Sequence, residues 1–268
     1  MILAIDVGNI HTIMGCIDET KKELRAEHVF RFRTDRAATA HEYAIKMKAL
    51  LQLQEVDPQS VRGAIVASVV PALTSTVSAA VEILTGEKAR IVGPGMKTGL
   101  KIMLDDPGTI AADLVVAAVA AKEEYPLPCV IIDMGTATTI TVVDENGAYI
   151  GGAILPGAAV SLEALTENAS LLPDIDIVPP KKIIATNTID AMKAGIIFGQ
   201  AGAIDGTITR FAKALGREPA SIVTTGGTGA LISPYCDHDI QVDDQLLLKG
   251  LAILWKKTES EKGEKRKK

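Results

Sequence analysis

The chain has 268 residues, of which 47% are apolar, and carries a formal charge of −5. That length suits one large domain or two small ones, and the apolar share implies a well-filled core. The acidic balance argues against the basic face of a nucleic-acid binder, and the longest apolar run, 114–121, falls far short of the roughly 20 residues needed to span a membrane.

The opening "MILAIDVGN" has no basic region before its short apolar run and carries an acid at Asp6, so it reads as a first strand and not as a signal peptide or anchor. With "IHTIMGCID" it forms a hairpin over 2–18. "HVFRFRT" is a third strand and "TAHEYAIKMKALLQLQ" has helical spacing. "GAIVASVV" is a buried strand, and "PALTSTVSAAVEILTG" is a helix with proline at its start. "DPGTIAADLVVAAVAA", 106–121, reads as an apolar helix with one acid, Asp113, near its mouth.

The second half repeats the first. "VIIDMGTATTITVVDE", 130–145, is again an apolar run, Asp-x-Gly, a polar turn and a second β-rich run. Aligned without gaps, Asp6 meets Asp133, Gly8 meets Gly135 and Thr12 meets Thr139. "AYIGGAIL" continues as a strand, and a helix follows Pro156. A long helix runs over 190–215, "SIVTT" is a strand, and a last helix covers 246–255. Duplication at half-chain scale implies two similar α/β domains, each a mixed sheet flanked by helices, over 1–125 and 126–257. The basic stretch from Lys256, with 258–268 as its tail, is expected to fray into solvent. Three widely spaced cysteines, Cys16, Cys129 and Cys236, form no Cys-x-x-Cys pair, which suits a reducing cytoplasm.

A turn in which an apolar strand runs into Asp-x-Gly can receive phosphate oxygens on its amides while the acid holds a hydrated magnesium ion. One such turn is more simply an ordinary hairpin; two at equivalent places favour function. In "VTTGGTGAL", Gly226 and Gly227 either end a strand or let a base or ribose lie against the backbone. The P-loop pattern is absent, and "GPGMKTG" misses the dinucleotide spacing by one residue. Asp113 alone could simply complement the positive end of its helix.

Taken together, "DVGN", "GPGMKTGL", "DPGTIAAD", "DMGTATTITVVDENGAYIGGAILPG", "NTIDAMKAGIIFGQAGAIDG" and "TTGG" resemble the type III pantothenate kinases, in the same order and over nearly the whole chain. The resemblance implies two duplicated ribonuclease-H-like domains of the actin-like ATPase fold, ATP and Mg2+, a monovalent cation (K+ or NH4+), pantothenate as substrate and a homodimer. It places ATP on Asp6, Val7, Gly8, Asn9, Ile10, His11, Thr12 and Ile13, on Thr136, and on Gly226 and Gly227. It puts magnesium at Asp6 and the monovalent cation at Asp133. It makes Asp113 the proton acceptor for the terminal hydroxyl of pantothenate, with Leu104, Ala111, Ala112, Asp113, Leu114 and Thr188 lining the substrate.

Three departures from the family pattern fall on the substrate and phosphate sides. Leu114 stands in place of an arginine, which would bind a carboxylate in a planar, bidentate way, and Leu104 in place of a tyrosine. Ile10 and His11 replace a threonine and an asparagine, which removes one hydroxyl donor and leaves Thr12 and backbone amides to hold phosphate. Two functions follow: a pantothenate kinase acting at the entry to coenzyme A biosynthesis, or an impaired paralogue that keeps nucleotide binding for regulation. A kinase for another small alcohol is a variant of the first.

Overall fold

The computed structural model describes residues 1–18 and 20–266, with side chains through Ser260. In chain order its elements are β1 (Ile2–Val7), β2 (His11–Ile17), β3 (Ala26–Arg33), α1 (Ala40–Leu53), β4 (Ala64–Ser68), α2 (Pro71–Thr85), β5 (Arg90–Ile91), β6 (Lys101–Ile102), α3 (Ala112–Glu124), β7 (Cys129–Met134), β8 (Ala137–Val143), β9 (Ala148–Pro156), α4 (Ala158–Asn168), α5 (Thr188–Leu215), β10 (Ser221–Thr225), α6 (Gly229–Ile232), β11 (Gln241–Val242) and α7 (Leu246–Arg266). They divide into two compact units. The first comprises Met1–Leu100, Asp105–Ala120 and Gln245–Lys268; the second comprises Lys101–Leu104 and Ala121–Asp244.

The first unit holds a five-stranded sheet in the order β3-β2-β1-β4-β5, antiparallel through β3-β2-β1 and parallel from β1 to β5. Strand alternation sends Leu3, Ile5 and Val7 to one face, where they pack with Tyr43, Met47 and Leu51 of α1 and with Leu73, Val77 and Val81 of α2. Local signals set the helix ends. Thr39 and Glu42 form a reciprocal capping box on α1, Pro71 opens α2, and Gly86 closes it in the left-handed conformation.

The second unit repeats this order as β11-β10-β7-β8-β9, with β6 added in parallel beyond β9. Its core joins Val130, Ile132, Ile140 and Val142 to Met192, Ile197, Ile204 and Ile208 of α5. The duplicated, ribonuclease-H-like arrangement of two mixed sheets with helices is therefore present. The alignment of the two hairpins, however, is not gapless. Asp6 pairs with Ile13 in β2, while Asp133 pairs with Thr139 in β8, so Thr139 corresponds to Ile13 and Thr138 to Thr12. The second turn is one residue shorter: Gly8 N–H bonds the His11 carbonyl, whereas Gly135 N–H bonds that of Ala137.

Two expectations are corrected at the last helix. Expected in the second half, it packs against β1, β4 and β2 of the first unit. Gly250 permits the approach to α3, because a Cβ there would stand 2.1 Å from the Val116 carbonyl oxygen. The helix also does not fray at Lys256 but continues to Arg266. Arg90 ties it down: the guanidinium lies 3.5 Å from the Trp255 ring centre, donates to Thr258 Oγ1 at 2.6 Å and pairs with Glu259. The side chains of 261–268, on which the expected tail also falls, lie outside the described residues.

The helix read over 106–121 begins later. Asp106 caps a short 3-10 turn at Pro107–Thr109 by accepting the Gly108 N–H, Ile110 is extended, and α3 starts at Ala112. Asp113 is thereby in the first turn, and Val115–Ala121 are buried all round, as a core helix demands.

Candidate functional site

In the first unit the segment 6–13 bridges the ends of β1 and β2. The alternation that buries Val7 in the core puts Asp6 on the opposite sheet face, and its side chain is almost wholly buried. Gly8 fits where a Cβ would be 2.9 Å from the His11 carbonyl oxygen. Asn9, Ile10 and His11 are exposed at the turn. Partial desolvation, then the Arg31 guanidinium, holds His11 below the ordinary imidazole value.

Thr12 does not face out beside Ile10 to replace the missing hydroxyl. It is fully buried, and its Oγ1 lies 2.9 Å from Thr34 Oγ1. Thr34 in turn donates to the Gly8 carbonyl at 2.8 Å, and its N–H bonds the Ile10 carbonyl at 2.8 Å. Thr34 thus braces the whole turn, a role visible only once β3 lies beside β2. A pocket of about 560 Å3 opens there, lined by Asn9, Ile10, Arg33, Thr34, Asp35 and Arg36. Neither arginine was singled out in the sequence, because both sit in a segment that reads simply as strand and turn.

On the same unit, Asp113 is half-buried and its Oδ1 accepts the Leu114 N–H at 2.8 Å. Burial raises its carboxyl above the ordinary range, partly offset by backbone hydrogen bonds. A carboxylate so placed is a stronger base than one in water. Ala111, Ala112 and Leu114 flank it, all half-buried, and none brings a charge.

In the second unit glycines shape the other turn. A Cβ on Gly226, whose φ is +92°, would stand 2.6 Å from Asp133 Oδ1 and from the Met134 backbone. Thr228 donates to the Met134 carbonyl from both N–H and Oγ1. Gly226, exposed Gly227 and Asp133 are therefore brought together. Gly157, quoted with its strand but not read as a site residue, lies under the turn: its N–H bonds the Thr136 carbonyl, and a Cβ would stand 2.4 Å from the Gly135 carbonyl oxygen. Gly135 and Thr136 are left exposed. Leu104 packs over Gly151 of β9, and Thr188 is the exposed first residue of α5, beside the Asn187 cap. The residues expected to line substrate thus fall on both units, with Ala111, Ala112, Asp113 and Leu114 on the first and Leu104 and Thr188 on the second.

Among the described residues no cluster of three His, Cys, Asp or Glu side chains could hold a metal by itself. Single carboxylates such as Asp6 suit Mg2+ only with phosphate oxygens and water as further ligands.

The family model of the type III pantothenate kinases matches residues 2–210. A type III pantothenate kinase of Geotalea uraniireducens is 40% identical over 257 residues, covering 96% of this chain and 98% of that protein. One from Geobacter sulfurreducens is 40% identical over 257 residues, covering 96% and 99%. Among solved structures, the activator of the 2-hydroxyisocaproyl-CoA dehydratase from Clostridium difficile with bound ADPNP has a TM-score of 0.58 at 12% identity, covering 98% of this chain and 97% of that one, and so shares the fold. With matches of this identity spanning almost its full length, the chain belongs to the type III pantothenate kinase family.

Proposed function

We propose that this protein transfers the γ-phosphate of ATP to the terminal hydroxyl of pantothenate, the first step of coenzyme A biosynthesis, with Asp113 as proton acceptor. The observation that carries the assignment of Asp113 is a half-buried carboxylate of raised basicity in the first turn of α3, in a chain of this family. The hydroxyl oxygen forms a bond to Pγ as the bond from Pγ to the β-phosphate oxygen breaks, and the hydroxyl proton passes to Asp113. Phosphoryl transfer needs mainly positioning and charge neutralisation, so a base that orients the hydroxyl is enough.

The exposed turn at Asn9–His11 and the amides around Gly8 receive phosphate oxygens, with Asp6 holding magnesium. When bound, the metal neutralises charge that develops on the phosphates. Thr136, Gly226 and Gly227 serve the nucleotide on the second unit, and Asp133 serves a monovalent cation, K+ or NH4+. Thr188 contacts pantothenate. Its carboxylate must be met by groups other than position 114, where leucine has no donor.

The protein works as a cytoplasmic homodimer, with small molecules and a second copy of itself as partners, and with neither nucleic acid nor membrane. Exposed apolar side chains on the second unit support self-association: Ile154, Leu171 and Ile184 are 75%, 92% and 85% exposed. Three free thiols, pushed up by burial to about 11, 11 and 12 at Cys16, Cys129 and Cys236, suit a reducing compartment.

The test is mass-spectrometric detection of phosphopantothenate after incubation with pantothenate, ATP, magnesium and potassium, beside an Asp113→Asn control. Product that depends on Asp113 supports the reading. Its absence, with ATP bound, redirects attention to other small alcohols or to a regulatory paralogue.

A further inference from the structure

We infer that Arg33 and Arg36 form an anion-receiving wall beside the phosphate loop and contact the terminal phosphates of the nucleotide. This rests on the reading of residues 6–13 as that loop. The register His11↔Arg33 sets the end of β3 alongside the loop, and Thr34 bonds both Gly8 and Ile10 from the middle of the Arg33–Arg36 segment. The two arginines therefore share one rigid support with the loop and line one pocket with Asn9 and Ile10.

The charge in this pocket has few partners among the described residues. Arg33 makes no side-chain hydrogen bond or ion pair among the described residues, and Arg36 gives one bond, from Nη2 to Asn9 Oδ1 at 2.9 Å, which aims the guanidinium at the loop. The one acid in the lining, Asp35, turns Oδ1 back to accept the Ala37 N–H at 3.0 Å. A guanidinium fork presents several fixed donors that match phosphate oxygens. In a chain of net charge −5 such a site draws anions locally. It also offsets the donor that Ile10 lacks.

Arg33→Gln, Arg36→Gln and, as a surface-charge control at the far end of β3, Arg25→Gln are compared in the full chain. Binding of magnesium with a non-hydrolysable ATP analogue is measured calorimetrically without pantothenate, followed by steady-state kinetics. Loss of a charge-assisted hydrogen bond is expected to weaken analogue binding about tenfold in each of the first two variants. Arg33→Lys should recover part of the loss, Arg25→Gln should bind as the parent does, and KM for pantothenate should hold. Analogue binding unchanged in both variants overturns the inference, as does a rise confined to KM for pantothenate, which would assign the pocket to a carboxylate. A parent protein that binds no analogue instead overturns the reading of residues 6–13, and one that binds but forms no phosphopantothenate overturns only the catalytic assignment.

Discussion

Gly226 sits against Asp133 so closely that a Cβ on the glycine would stand 2.6 Å from Asp133 Oδ1, with φ at +92°. Gly226→Ala meets both a left-handed backbone and a fixed backbone neighbour in Met134. We expect a loss of about 1–3 kcal/mol in stability, read by urea denaturation, together with a raised KM for ATP. A variant with parental values of both would show that the two turns are not mechanically joined.

Asp113→Asn should lower kcat by a factor of about 100 or more while leaving ATP binding intact. The parent's kcat/KM should fall on the acid side with an apparent pKa above the ordinary carboxylate value, because burial raises this group. The sign for stability is opposite. A raised folded-state pKa means the ionised carboxylate costs stability above that pKa, and the cost vanishes below the unfolded value. Asp113→Asn should therefore be at least as stable as the parent at pH 7, an advantage that disappears on acidification.

Thr34→Val strips the partner from the buried Thr12 hydroxyl and from the Gly8 carbonyl. The expected cost is about 1–3 kcal/mol, because a buried polar group left unmet loses its solvation without compensation. The double variant Thr12→Val/Thr34→Val should cost less than the sum of the singles. Additive costs would mean that the hydroxyls are independent.

Gly250→Ala places a methyl 2.1 Å from the Val116 carbonyl oxygen, so α7 must shift from α3. Overpacking of this kind typically costs about 1–3 kcal/mol, which lowers Tm by about 2–4 °C per kcal/mol in a chain of this size. Calorimetric scans check this, and an unchanged Tm would contradict the close approach of the two helices.

Leu114→Arg restores a guanidinium next to the acid. If the carboxylate of pantothenate lies there, KM for pantothenate should fall with little change in KM for ATP. An unaltered KM would place that carboxylate elsewhere.

Much of the architecture was legible because its causes are local. Short apolar runs drew the strands, Pro71 marked a helix start, and the repeated Asp-x-Gly announced two copies of one sheet. Motif likeness led to the family through residues contiguous in the chain. What the amino-acid order could not specify was which distant groups become neighbours. The one-residue difference between the hairpins appears only as strand register, and the last helix joins the first unit because Gly250 lets it approach Val116. Thr34 braces a turn to which no sequence motif connects it, Gly157 meets its turn only through the pairing of β8 with β9, and Arg33 and Arg36 reach the phosphate loop only through the pairing of β2 with β3. Even the basicity of Asp113 depends on the solvent removed around it. Sequence by itself determined the longer elements, the duplication and the family, since those depend on short-range pattern. Register, bracing and desolvation were decided by tertiary structure, because each arises from atoms brought into contact across long stretches of chain.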